Sequence, residues 1–157
     1  MACVHCGPRR RAGFTLLELL VVVTVLALLL AVATAPMKRL VLAGRMRSAS
    51  SDLVADLLLA RSEALKRSAQ VLVQPSDSGW TGGWTVQTAA GAQQLARRNT
   101  LGGVAVTTAP TGITFDVDGR VLAVGTVRIG LSDGSNRRCI SLDPSGRPKS
   151  AAVDCTP

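Results

Sequence analysis

The chain has 157 residues, a formal net charge of +8, and only two tryptophans and two phenylalanines. Its basic balance favours anionic partners such as nucleic acid or lipid headgroups, without deciding between them. Since about 40 residues at the start are leader and apolar segment, the remainder suffices for one small soluble domain and excludes two.

An apolar segment follows the basic start of the chain. From Phe14 to Ala35 there are 22 residues with a single charge, Glu18. As a helix they span about 33 Å, and a hydrocarbon core is roughly 30 Å thick, so the sequence predicts the transmembrane half of a helix over residues 14–41. A carboxylate there costs on the order of 3 kcal/mol unless it is paired, which makes Glu18 a candidate functional residue. A signal peptide cleaved after Ala35 is disfavoured by the length of the run and by Pro36.

The residues from Arg11 to Glu18, Arg-Ala-Gly-Phe-Thr-Leu-Leu-Glu, resemble the type IV prepilin signature of pilins and pseudopilins. The resemblance implies that residues 1–13 are a leader, that a prepilin peptidase cleaves after Gly13, and that Phe14 is then N-methylated. It also implies that Glu18 pairs with the N-terminal amine of a neighbouring subunit. The expected location is the inner membrane, with the C-terminal domain in the periplasm, before the chain joins other pilins or pseudopilins in a filament.

Residues 42–69 are predicted to form the amphipathic half of the helix. Apolar residues recur at spacings of three and four, at Leu42, Met46, Ala49, Leu53, Leu57, Ala60 and Ala64. We interpret the charged residues between them as a solvated surface, namely Arg45, Asp52, Asp56, Glu63 and Arg67.

Residues 70–157 read as a β-rich globular domain. Short apolar runs alternate with glycine-containing turns at Gly79, Gly82-Gly83, Gly102-Gly103, Gly119, Gly134 and Gly146. The predicted strands are Val71–Gln74, Trp84–Thr88, Val104–Thr108, Ile113–Val117, Thr126–Leu131, Cys139–Leu142 and Lys149–Val153. The expected fold class is α+β, pilin-like, with the long N-terminal helix packed on one antiparallel sheet.

The second half of the chain resembles the GspH/FimT branch of minor pilins and pseudopilins. The similarity rests on the helix from Ala60 to Arg67, on Trp80 to Trp84, and on Cys139 to Leu142 leading into Ser145-Gly146-Arg147. This resemblance leaves two classes of protein possible: a FimT-like minor pilin of the type IV pilus, and a GspH-like structural pseudopilin of type II secretion.

Candidate binding residues cluster near the C-terminus. A disulfide between Cys139 and Cys155 would close a loop of about 15 residues and contribute roughly 3 kcal/mol in an oxidising compartment. Inside the loop, Pro148 favours an extended chain, so the side chains of Arg147 and Lys149 are expected on one side. This preordered basic tail suits phosphate. The alternative is a solvated basic hairpin that maintains solubility.

The segment from Gly146 to Lys149 resembles the Gly-Arg-x-Arg motif of FimT-like pilins, with lysine at the last position. The resemblance implies binding of double-stranded DNA during natural transformation, by Arg137, Arg138, Gly146, Arg147 and Lys149. Lysine keeps the charge of arginine but loses its bidentate geometry.

The residue inventory disfavours an enzyme, a cofactor or a metal. Cleavage after Gly13 removes His5, the single histidine, so a nucleophile would lack its commonest base. Asp116 and Asp118 are interpreted as turn formers rather than a calcium or general-acid site. Trp80 and Trp84 are interpreted as packing rather than base-stacking residues, and Cys3 and Cys6 form half of a zinc motif without a second half.

Overall fold

The computed structural model describes residues 13–91 and 93–155, apart from the side chains of 32–36. Within these residues, one helix, α1 (Leu16–Arg67), precedes eight strands. By its contacts the chain divides into two compact units, Met1–Lys38 and Arg39–Pro157. The strands are β1 (Val71–Ser76), β2 (Gly79–Thr88), β3 (Gln94–Arg98), β4 (Ala105–Thr108), β5 (Ile113–Phe115), β6 (Val127–Ser132), β7 (Arg137–Leu142) and β8 (Pro148–Ala151).

Local capping explains where α1 begins and ends. The Glu18 amide donates a hydrogen bond to Thr15 Oγ1 at 3.2 Å, and the Thr-x-x-Glu spacing is that of a capping box. At the other end, Ser68 has a positive φ of 48° and the Ala69 amide donates to the Ala64 carbonyl at 3.3 Å. This is a Schellman ending in which serine takes the position that glycine usually occupies.

The apolar stripe of α1 forms one side of the core of the second unit. Its buried members are Met46, Ala49, Leu53, Leu57, Ala60 and Ala64. They join strand residues in one cluster whose largest side chains include Phe115, Ile129, Ile140 and Leu142. Burial of these apolar side chains is the main favourable term for the domain.

The strands form two antiparallel sheets, so the expectation of a single sheet was wrong. The first sheet has the order β3-β2-β1-β5 and the second the order β4-β6-β7-β8. Both contact α1: Asp56 accepts hydrogen bonds from Trp84 and Arg98 of the first sheet, and Ser50 is hydrogen-bonded to Ser150 of the second at 2.8 Å. The α+β class, with a long N-terminal helix and antiparallel sheets, is confirmed.

Two parts of the strand prediction differ from the structure. The glycines at Gly79 and Gly82-Gly83, expected in turns, lie within the ten-residue strand β2. Strand β3 was not predicted, because Gln94–Arg98 shows no alternation of apolar and polar residues. The β-bulge between Val86 and Gln87 accommodates its pairing with β2.

The N-terminal predictions fall partly outside the described residues. Nearly all of the predicted leader 1–13, including the Cys3/Cys6 pair, lies there. Among the described residues, which include most of the predicted transmembrane half at 14–41, no helix is long and apolar enough to cross a membrane.

Candidate nucleic-acid interface and assembly site

The predicted processing and assembly residues lie at the start of α1. Gly13 and Phe14 precede the helix, and the Phe14 side chain is 82% exposed. Glu18 is exposed and is the acidic residue of the first helical turn, where the helix dipole favours a negative charge. Its carboxylate therefore stands at the helix end nearest to the amine that cleavage after Gly13 would create.

The predicted basic tail is a β-hairpin formed by β7 and β8. Pro148 pairs with Leu142 and Lys149 with Ser141, in regular antiparallel register. The Asp143 amide donates to the Arg147 carbonyl at 3.4 Å, which closes a three-residue loop. Because this pairing continues the register, Arg147 lies on the same side of the sheet as Lys149.

Asp143 holds the hairpin loop together. Its Oδ1 accepts hydrogen bonds from the Ser145 hydroxyl at 2.6 Å and from the Arg147 amide at 3.0 Å. The Ser145 hydroxyl, followed by the Arg147 amide, lowers the pKa of the Asp143 carboxyl. A weaker Coulombic effect of the Arg147 guanidinium acts in the same direction, so this carboxylate partly offsets the charge of Arg147.

Gly146 is required by both its backbone and its surroundings. Its φ is +78°, and a Cβ at this position would lie 2.3 Å from the carbonyl oxygen of Gly119 and 3.3 Å from Arg61 Cδ. The Val121 amide also donates to the Pro144 carbonyl at 3.2 Å. The hairpin loop is thus fixed against the turn at Gly119, and no other residue type fits at 146 without displacement.

Arg137 and Arg138 face opposite sides of the second sheet. Arg137 pairs with Ser132 in the β6–β7 ladder and forms an ion pair with Asp154. Arg138 lies toward α1, donates from Nη1 to Ser150 Oγ at 3.2 Å, and has a buried Nε without a hydrogen-bond partner among the described residues. Arg137 therefore shares a face of the sheet with Lys149 and Arg147, although it is paired with Asp154, whereas Arg138 lies on the opposite face.

A disulfide links Cys139 of β7 to Cys155, with a Cα–Cα distance of 5.0 Å. The segment after β8 crosses the sheet near Gly130, where an added Cβ would be 3.6 Å from Cys155 Cβ. This crossover explains how Asp154 reaches Arg137.

Sequence reasoning missed three residues around the hairpin: Arg128, Asp143 and Asp154. Arg128 pairs with Ser141 in β6–β7, and Ser141 pairs with Lys149 in β7–β8. The sequence did contain a signal that Arg128 is exposed. Arg128 is the polar residue between the half-buried Val127 and the buried Ile129 in a predicted strand, and this alternation places it on the solvent side. The two carboxylates carried no such signal, because their partners are set by tertiary structure.

The remaining candidates take structural roles. Asp116 accepts a hydrogen bond from Gln70 Nε2 at 3.1 Å, and Asp118 Oδ1 accepts the Arg120 amide at 3.0 Å, so both belong to the turn after β5. No group of residues suited to a metal ion occurs in the described part of the chain.

Both tryptophans are buried in strand β2 rather than exposed in a loop. Trp80 Nε1 donates to the Pro110 carbonyl at 2.6 Å, and Trp84 Nε1 donates to Asp56. The packing interpretation holds, and neither ring has a face available to a base.

A helix that precedes antiparallel sheets, together with a prepilin-type start, defines a pilin-like protein. Two family models match: type II transport protein GspH over residues 49–146, and the prokaryotic N-terminal methylation motif over residues 8–34. The chain therefore belongs to the GspH family and is a minor pilin or pseudopilin. No curated protein matches it.

Solved structures with a similar fold include the type IV minor pilin FimU of Pseudomonas aeruginosa PAO1 in two crystal forms. In one, 23% of residues are identical over 67% of this chain and 91% of FimU, with a TM-score of 0.58. In the other, 22% are identical over 72% of this chain and 96% of FimU, with a TM-score of 0.59. At this identity the likeness establishes the pilin fold.

Proposed function

We propose that this chain is a FimT-like minor type IV pilin that binds double-stranded DNA through its basic C-terminal hairpin. In this role it supports DNA uptake in natural transformation as well as pilus assembly. The proposal rests on one observation about Arg147 and Lys149: both side chains are exposed, and neither forms an ion pair with any described residue.

The hairpin backbone that carries these two cations is already ordered before DNA binds, so binding loses little backbone conformational entropy. Register, the Asp143 loop and the close approach of Gly146 to Gly119 fix the backbone that carries Arg147 and Lys149. A preordered backbone reduces the conformational entropy that is lost when these side chains contact phosphates. Since both tryptophans are buried, binding is electrostatic, independent of base sequence, and directed at the duplex backbone.

The test is a titration of a labelled DNA duplex with the full chain in detergent, followed by fluorescence anisotropy at several salt concentrations. The double variant Arg147→Gln/Lys149→Gln should bind more weakly and show a salt slope smaller by about 2. Arg97→Gln is the matched control, because Arg97 is exposed, belongs to the first sheet, and forms no ion pair with a described residue. Equal binding by wild type and the double variant would remove the hairpin from the mechanism.

Maturation and assembly belong to the same proposal. A prepilin peptidase would cleave after Gly13 and methylate Phe14, and Glu18 would pair with the new amine of a neighbouring pilin. Before assembly, the chain would reside in the inner membrane with its C-terminal domain in the periplasm. Glu18→Ala should leave processing intact and exclude the subunit from filaments, as measured by immunoblotting of sheared pili; normal incorporation would refute the role of Glu18.

The second candidate is a structural pseudopilin of type II secretion. It is favoured by the family model that matches residues 49–146, whose description is a type II transport protein. A deletion strain separates the two functions. Loss of DNA uptake with normal secretion supports the pilin, whereas loss of secretion with normal uptake supports the pseudopilin.

A further inference from the structure

The outer face of the second sheet carries a row of three polar residues. Arg128 of β6 is directly opposite Ser141 of β7, which is directly opposite Lys149 of β8. Residues paired in this way point to the same side of an antiparallel sheet. Arg128 and Lys149 are exposed. Neighbouring strands are about 4.8 Å apart, so the Cα atoms of these two cations are about 10 Å apart.

The other side of the same strands belongs to the core. Ile129 and Ile140, next along the ladder from Arg128 and Ser141, are buried, and Ser150 is hydrogen-bonded to Ser50 of α1. The helix therefore covers the opposite face. Arg128, Lys149 and Arg147 share the outer face, which α1 leaves uncovered.

Two carboxylates determine which cations of this face are available. Asp154 forms an ion pair with Arg137, at the far end of the ladder. Asp143 lies beside Arg147 and interacts with it more weakly. Like Arg147, Arg128 and Lys149 form no ion pair with any described residue. The uncompensated positive charge of this face therefore extends from the hairpin loop to Arg128.

From this arrangement we propose that Arg128 is a further phosphate-contacting residue, and that the DNA duplex lies across β6, β7 and β8 on the outer face of the second sheet. The inference rests on the proposed DNA-binding function and extends its site beyond the predicted tail. A Cα separation of about 10 Å allows Arg128 and Lys149 to contact different phosphates of the duplex. Ser141, between them, adds a hydroxyl donor.

The experiment compares the single variants Arg128→Gln, Lys149→Gln and Arg97→Gln of the full chain in detergent, with the same labelled duplex. Arg128→Gln should weaken binding about five- to tenfold at 0.1 M salt and reduce the salt slope by about 1, as Lys149→Gln does, whereas Arg97→Gln should leave both unchanged. Arg128→Lys should restore most of the affinity, because a backbone contact needs charge rather than bidentate geometry. Equal melting temperatures establish that each variant is folded.

Failure of this inference differs from failure of the proposed function. If Lys149→Gln weakens binding while Arg128→Gln behaves like Arg97→Gln, Arg128 is not a contact and DNA binding stands. If the wild-type chain does not bind duplex at low salt, the proposed function falls and this inference with it. Binding to vesicles containing phosphatidylserine without binding to duplex is also a refutation, since it assigns the face to lipid.

Discussion

Arg98 donates two hydrogen bonds to the carboxylate of Asp56, from Nε to Oδ2 at 2.9 Å and from Nη2 to Oδ1 at 3.1 Å. Trp84 Nε1 donates a third, to Oδ2 at 2.9 Å. Asp56 is only 3% exposed, so these bonds compensate the burial of its charge. The hydrogen bonding to Asp56 also raises the pKa of Arg98. Through this carboxylate, α1 is tied to β2 and β3.

Replacement of Asp56 should destabilise the domain more than replacement of any exposed charged residue of α1. Asp56→Ala leaves a buried indole N–H unpaired and removes both hydrogen bonds of the partly buried Arg98 guanidinium, so the free energy of unfolding should fall by about 2–3 kcal/mol. Urea denaturation measures this loss. Asp52→Ala is the control, because Asp52 is half exposed and 3.9 Å from Arg98, and it should cost less than about 0.5 kcal/mol. Equal losses for the two variants would contradict this account.

Two glycine substitutions separate backbone strain from steric contact. Gly134 has a φ of +90° and open space at its Cβ position, whereas Gly146 has a similar φ and would place a Cβ against the Gly119 carbonyl. Gly134→Ala should cost about 1 kcal/mol, and Gly146→Ala about 1–3 kcal/mol more, because the hairpin loop has to move away from the neighbouring turn. Thermal denaturation gives both values. Equal melting temperatures would mean that the contact at Gly119 relaxes freely.

Reduction of the disulfide should lower stability without abolishing DNA binding. The bridge closes a loop with a sequence separation of 16, for which loop-closure entropy gives about 3 kcal/mol. Arg128 and Lys149 are held by backbone ladders rather than by the disulfide. We expect a lower melting temperature in dithiothreitol, and DNA affinity within about twofold at 25 °C where the fold persists. Cys139→Ser/Cys155→Ser, insensitive to reductant, is the control.

Removal of the carboxylate opposite Arg137 should strengthen DNA binding. Asp154→Asn releases the Arg137 guanidinium on the outer face of the second sheet, which adds one available cation. Affinity should rise by about five- to tenfold at 0.1 M salt, with a salt slope larger by about 1. Asp77→Asn changes the net charge equally but lies in the turn between β1 and β2. A similar gain in both variants would reflect net charge alone.

The hairpin loop should weaken in acid. Because the pKa of Asp143 is lower than its ordinary value of 3.8, its contribution to stability is complete above that pH and is lost as the pH falls through the lower, folded-state pKa. NMR titration of the Asp143 carboxyl carbon should give a midpoint below 3.8. Ser145→Ala removes the largest cause of the shift and should move the midpoint upward; an unchanged midpoint would exclude the Ser145 hydroxyl as that cause.

Helical spacing predicted which residues of α1 are buried better than residue type did. The stripe from Met46 to Ala64 is buried as its period indicated. Asp56 is three residues after Leu53 and four before Ala60, so spacing alone places it on the buried side. Its charge led to the contrary interpretation, which was wrong. The error arose because its partner Arg98 lies in β3, whose sequence gives little indication of a strand.

The basic hairpin shows where sequence information ends. Loop composition and Pro148 were enough to predict an extended segment with Arg147 and Lys149 on one side. They could not reveal that Arg138 turns toward α1, that Arg137 meets Asp154, or that Arg128 aligns with Lys149. Each of these depends on strand order and register, which are fixed by packing of the whole domain.

The hydrogen bond between Ser50 and Ser150 joins residues 100 positions apart. Contacts between residues so far apart in sequence form late and slowly, because the entropy of closing a large loop is lost before the contact contributes any stabilising energy. Because β8 is the last of the eight strands, the side of α1 around Ser50 is fully covered only after this strand has paired with β7.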